Sequence, residues 1–151
     1  MDVQYLDDYK TGDRFESPEL EVSEDDIRAF AALYDPQPFH LDRASAKASP
    51  FQELVGSGWH TAALTMRLLV HSRFRPAGGI LGFGVDELRW PSPLKPGDHI
   101  KARVEVLEVR PSAKSPDRGV LRVRVETVNQ AGDILISFMP LLRVERRNNG
   151  G

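Results

Sequence analysis

The chain has 151 residues, the size of one ordinary domain, and its 40% apolar and 28% charged residues suit a globular protein with a real core. A formal net charge of −2 gives no bulk attraction to nucleic acid or to an anionic membrane, so neither is expected as a partner. The absence of cysteine excludes disulfides, thiolate nucleophiles and cysteine-ligated metals, and fits a cytoplasmic location.

The N-terminus, Met1-Asp2-Val3-Gln4-Tyr5, lacks the basic flank and apolar run of a signal peptide. No stretch approaches the roughly 20 apolar residues of a membrane helix. Lys10-Thr11-Gly12-Asp13 reads as a turn and Arg14-Phe15-Glu16 as a short strand. Helix signals begin at Ser23, whose hydroxyl suits an N-cap ahead of Glu24-Asp25-Asp26. Ile27, Phe30, Ala31 and Tyr34 then recur on one helical face. The helix should stop near Tyr34, because Asp35 precedes Pro36.

Next comes Tyr34-Asp35-Pro36-Gln37-Pro38-Phe39-His40, in which two prolines separate a carboxylate from an imidazole. Each proline fixes its own φ and biases the preceding residue toward extended backbone, so the stretch predicts a stiff loop. Asp35 and His40 held that way can face one point, as an acid–base pair requires. A short polar helix is expected over 41–48, with a break at Ser49-Pro50. Gly56-Ser57-Gly58 then introduces the most apolar helical run of the chain, from Trp59 to Val70. It is apolar nearly all round, and so is expected to be enclosed by other structure.

The remainder reads as strand. Ile80 to Val85 leads toward Trp90, with Gly82 and Gly84 suggesting bulges or close packing. Ile100, Ala102, Val104 and Val106 alternate with polar residues, whereas Leu107 and Val109 fall out of phase, so a bulge is expected near Val106. After a polar loop, Leu121, Val123 and Val125 alternate again, a turn follows at 129–133, and Ile134 to Val144 forms the last strand. Pro140 argues for an edge position or a bulge there. One domain spans 1–146, and 147–151 is expected to be a disordered tail. Two helices followed by at least four longish antiparallel strands make an α+β domain, with a curved antiparallel sheet wrapped around the long apolar helix.

His60, His71 and His99 lack the companions of a metal site and read as satisfied core histidines; no metal or cofactor is expected. Arg73-Phe74-Arg75 reads as a solvated basic turn. No Gly-x-Ser-x-Gly or Gly-x-Gly-x-x-Gly motif supports a serine hydrolase or a dinucleotide site.

The stretch around Asp35 resembles the signature of the MaoC-like hydratases, which include the R-specific enoyl-CoA hydratases: Gly-Asp-x-Asn-Pro-x-His. Asp35, Pro38 and His40 match in place, Ala44 matches a small-residue position, and Tyr34 and Gln37 stand where the family has Gly and Asn. Leu54 to Trp59 resembles the family's lead-in to its central helix, with Ser57 at the usual His. The run from Val85 to Trp90 and the turn Pro96-Gly97-Asp98 complete a likeness covering residues 14–145.

The resemblance implies a hot-dog fold and the reversible addition of water to a trans-2-enoyl thioester, carried by coenzyme A or an acyl-carrier protein. Asp35 and His40 would be the catalytic pair, and an imidazole suits such work because it titrates near working pH. Gln37 would orient water or the thioester. Gly56, Ser57, Gly58 and Trp59 would bind substrate, through backbone N–H groups at a helix N-terminus. A homodimer is implied too. Two alternatives stay open. A hot-dog thioesterase is disfavoured because 58–72 contains no Asp or Glu; a non-catalytic acyl-CoA-binding protein is kept open by Tyr34, Gln37 and Ser57.

Overall fold

Four long antiparallel strands dominate the chain: β3 (Leu81–Arg89), β4 (His99–Pro111), β5 (Arg118–Val128) and β6 (Ile134–Glu145). With β1 (Arg14–Glu16) and β2 (Leu20–Glu21) they form a six-stranded sheet in the order β1-β4-β5-β6-β3, in which β2 also pairs with β4. The helices are α1 (Glu24–Tyr34), α2 (Pro38–Leu41), α3 (Arg43–Lys47) and α4 (Gly58–Val70). The computed structural model describes residues 2–147.

Period-two alternation turns one face of the sheet inward. Ile100, Ala102, Val104 and Val106 of β4, Leu121, Val123 and Val125 of β5, and Leu135, Leu142 and Val144 of β6 share a buried core with Leu68 and Leu69 of α4 and Ile27 of α1. Each Val, Leu or Ile among them contributes about 1.5–3 kcal/mol by leaving water. The expected bulge is present, as a register shift between Val106 and Glu108 that returns Val109 to the pattern. β2, only two residues long, carried no pattern to find.

Pro140 corrects the edge expectation. β6 lies between β5 and β3, and Pro140 pairs with Val85 of β3. On the β5 side the register passes from Arg122↔Leu141 to Val125↔Phe138, and the missing proline N–H falls within that gap. β3 is instead the edge on that side of the sheet, with the short β1 and β2 at the other.

The helix ends follow their signals. Ser23 and Asp26 make a reciprocal capping box at the start of α1, and Asp35 follows its last turn. The expected polar helix is instead two short ones, because Asp42 accepts the Ser45 N–H at 3.0 Å and caps α3 afresh. Arg146 and Arg147 pair with Asp7 and Asp8 at 2.9 and 2.8 Å, so the described end of the expected tail is held against the N-terminal segment. The rest of that tail, 148–151, lies outside the described residues.

The enclosed helix also needs correcting. α4 buries only one side, through His60, Thr61, Thr65, Leu68 and Leu69. Trp59, Met66 and Val70 form an opposite apolar strip, 58%, 44% and 54% exposed. On the buried side Thr65 Oγ1 donates to the Thr61 carbonyl at 2.7 Å and lies 2.6 Å from Thr127 Oγ1 of β5. Thr65 has one proton, already given to Thr61, so Thr127 is the donor in the pair. Both residues are fully buried, and the bond ties helix to sheet.

Thr65→Val leaves the Thr127 hydroxyl without its acceptor, and should lower unfolding stability by about 1–3 kcal/mol in urea titrations. Thr127→Val removes a donor and leaves only an acceptor lone pair unfilled, so its loss should be smaller. The double variant should be no less stable than Thr65→Val alone.

Candidate active site

Asp35 and His40 reach one point by different means. Asp35 is the C-cap of α1, where the prolines deny the helix a continuation. Gln37 then takes an extended N-cap conformation and Pro38 opens α2, a position its fixed φ suits. The stiff loop expected from the sequence is therefore partly helical, and His40 rides on α2.

His40 is 5% exposed, and its Nδ1 lies 2.6 Å from the Val55 carbonyl. A carbonyl only accepts, so Nδ1 carries the hydrogen and Nε2 presents its lone pair. Nε2 faces Asp35 Oδ2 at 3.3 Å. In the neutral imidazole both facing atoms are acceptors, and a water beside the pair, on the cavity side, can donate to each. The other carboxylate oxygen, Oδ1, accepts from Gln37 Nε2 at 2.5 Å. Partial burial pushes the Asp35 carboxyl up, but hydrogen bonds from Ser57 and Gln37 and the facing His40 outweigh it and hold it below the usual carboxylate range. Asp35 is thus an anion with its orientation fixed.

The pair opens into a cavity of about 470 Å³, lined by Asp35, Gln37, His40, Gly56, Gly58 and Trp59 among others. Sequence reasoning missed most of its apolar wall: Phe39, Phe51, Trp90 and Leu94. The register shift between Asp86 and Arg89, with Glu87 at φ 52°, precedes Trp90. Trp90 Nε1 donates to the Gly58 carbonyl at 2.8 Å, and its ring meets Trp59 edge-on at 5.1 Å. The two glycines were the available signal, since each admits a large side chain from the segment around Trp90. A Cβ at residue 58 would sit 2.8 Å from Trp90 Nε1, and one at residue 56 would sit 2.8 Å from Leu94 Cδ2.

Two sequence expectations change here. Gly56 N–H donates to the Leu94 carbonyl at 2.7 Å and is not free for a ligand. Ser57 is wholly buried and absent from the cavity wall; its Oγ caps α4 by accepting Trp59 N–H at 3.2 Å. The Gly58 N–H, at the first position of α4, has no acceptor among the described residues and faces a helix N-terminus suited to partial negative charge.

The remaining histidines differ from expectation as well. His71 and His99 are exposed, and His99 lies 3.5 Å from Glu19. His60 is buried and stacks on Phe30 at 4.5 Å, but its Nδ1 has no partner, so it is not satisfied. Burial pushes the His60 imidazole below its ordinary value, only partly opposed by Asp26. The unfolded chain therefore binds the His60 proton first as pH falls. Stability should be intact above about pH 6.5 and decline below it, until the folded value is reached. His60→Phe should flatten the loss of urea stability between pH 7.5 and 5 relative to the natural chain.

Comparison with known proteins identifies relatives of the whole chain. The family described as MaoC like domain matches residues 8–129. A crystal structure of a MaoC-like dehydratase from Rhodospirillum rubrum is 45% identical, with a TM-score of 0.93 over 96% of this chain and 99% of that one. An R-hydratase from Pseudomonas aeruginosa is 28% identical, with a TM-score of 0.70 over 95% of this chain and 86% of its own. A 3-hydroxybutyryl-CoA dehydratase of Methylorubrum extorquens is 26% identical over 147 residues, 96% of this chain and 87% of that protein.

Proposed function

The chain belongs to the MaoC-like dehydratase family and has the hot-dog fold, and from these and its site we propose that it reversibly hydrates a trans-2-enoyl thioester. The observation that carries this is the facing of Asp35 Oδ2 and His40 Nε2 at 3.3 Å on the wall of an apolar cavity. The names of the Pseudomonas aeruginosa R-hydratase and the Methylorubrum extorquens dehydratase support the reaction class.

One water is held by both atoms from the cavity side. It loses a proton as its oxygen bonds to Cβ of the enoyl group, while Cα gains a proton and the double bond is lost. Charge developing on the thioester oxygen is met by Gly58 N–H at the positive end of α4. The apolar wall excludes other water, which strengthens each of these interactions. Gln37 acts through Asp35 as a positioning residue.

Asp35→Asn and His40→Ala should each slow the loss of enoyl absorbance from crotonyl-CoA by about 10²–10⁴-fold. Full rates in both variants would overturn the assignment.

The same reading includes a homodimer. β3 is a free edge, with Leu81, Phe83 and Val85 51%, 60% and 53% exposed, and the apolar strip of α4 is uncovered. A long exposed apolar edge invites pairing, and a two-fold axis beside β3 covers both surfaces with the same surfaces of a second copy. Sedimentation at micromolar concentration should give a dimer, and Phe83→Glu with Met66→Glu should give a monomer. A natural chain that sediments as a monomer would exclude this pairing.

A further inference from the structure

Four aromatic rings meet the cavity beside Asp35 and His40, and they come in two pairs. Phe39 and Phe51 lie 5.3 Å apart, and Phe39 sits edge-on to the His40 ring at 4.6 Å. Trp90 belongs to the second pair, in which Trp59, on the apolar strip of α4, braces it from the side. Among the described residues no ring of one pair contacts a ring of the other, so the cavity is the gap between them. Phe51 and Trp90 are both exposed, which leaves much of each ring free.

The backbone sets the width of this gap. His40, beside Phe39, is bonded to the Val55 carbonyl, and Trp90 to the Gly58 carbonyl. Three residues span at most about 11 Å, so the two pairs are anchored that close together. A flat group stacked on both sides needs walls about 7 Å apart. The walls are also stiff. Phe51 N–H donates to Ser49 Oγ at 3.2 Å and Gln52 N–H to the Ser49 carbonyl at 3.0 Å, with Gln52 at φ 62°, in the left-handed region that side chains disfavour. Glu53 and Lys95, 2.8 Å apart, tie this turn to the segment that follows Trp90, where Pro91 and Pro93 line the cavity. Leu94 is the only Leu, Ile, Val or Met among the described residues that line it. A flexible alkyl tail packs best against side chains that adjust to it, whereas rings and prolines keep their shape and favour a group that is already flat.

Asp35 and His40 act at Cβ of the enoyl group, and Phe39 adjoins His40, so the substituent on Cβ is the part of the substrate nearest the rings. We infer that this site takes an enoyl thioester with a flat ring on Cβ, of the cinnamoyl type, stacked between the Phe39–Phe51 pair and Trp90. The inference rests on the hydration proposed above and names the acyl class that reading leaves open. A crotonyl thioester, with a methyl group on Cβ, is then a small and loosely held substrate.

Binding is tested without turnover, by calorimetry on the full chain with saturated thioesters that the pair cannot hydrate. 3-Phenylpropanoyl-CoA carries a ring where octanoyl-CoA carries a more apolar five-carbon chain and butanoyl-CoA a methyl group. The phenyl compound should bind at least about tenfold more tightly than either of the others. Octanoyl-CoA or butanoyl-CoA binding as tightly would overturn the inference. The two tryptophans of the chain both line the cavity, so quenching of their emission reports where the ring lies. Binding of the phenyl compound with no change in that emission would place the ring elsewhere and sink the idea. Phe51→Leu should weaken the phenyl compound about fivefold or more and octanoyl-CoA by less than twofold; equal losses would also count against a site that reads the ring. The hydration reading is judged separately. If neither crotonyl-CoA nor cinnamoyl-CoA loses its enoyl absorbance, that reading has failed, and the ranking of the saturated compounds still decides this one.

Discussion

The site depends on the segment that enters α4, the buried Val55-Gly56-Ser57 and the half-buried Gly58. The Val55 carbonyl fixes the His40 ring and its tautomer; Gly56 bonds to Leu94 and leaves room for it; Ser57 caps the helix and reaches Asp35; Gly58 holds the Trp90 indole. One segment thus touches each wall of the cavity. Most of its backbone groups are engaged, as burial demands. The Gly58 N–H is among those with no acceptor among the described residues, at the positive end of α4.

The rigidity of this segment explains how residues 35 and 40, on different short elements, stay in register. α2 has only four residues and little helical stability of its own. What holds it is tertiary: His40 against Val55, and the Phe39 ring against His40 and Phe51. Likewise α4 is placed on the sheet by Leu68 and Leu69 and by the directed Thr65–Thr127 bond, which apolar packing alone would not specify. The geometry of the Asp35–His40 pair therefore inherits its precision from the core and not from the local backbone.

Much of this was legible in the residues because it is local. Ser23 and Asp26, the prolines flanking Gln37, and the alternation of 100–106 act over a few positions and give a capped helix, a sharp break and half-buried strands. What could not be read is what depends on distant partners. Gly58 looked like a permissive turn residue or an amide donor, but what forbids a side chain is Trp90, 32 positions away. Gln37 looked like a substrate ligand and is turned back on Asp35. The apolar circumference of α4 was read as burial, yet one side is uncovered in the single chain. Periodicity reports that a face avoids water; it does not say whether the same chain or another one covers it.

The departures from the family signature make physical sense around Asp35. Gln37 has one methylene more than the family's Asn, and that reach brings its amide to Oδ1 at 2.5 Å. Ser57, where the family has His, is small enough to be wholly buried as a helix cap while its hydroxyl faces the same carboxylate. Between them they supply two neutral donors to an anion whose remaining partner is the imidazole. A donor that carries no charge stabilises the carboxylate without competing for the proton it must exchange. With a hydroxyl at residue 57, the imidazole that faces the carboxylate is that of His40. The two substitutions are best understood together, as one rearranged hydrogen-bond shell around a retained Asp–His pair.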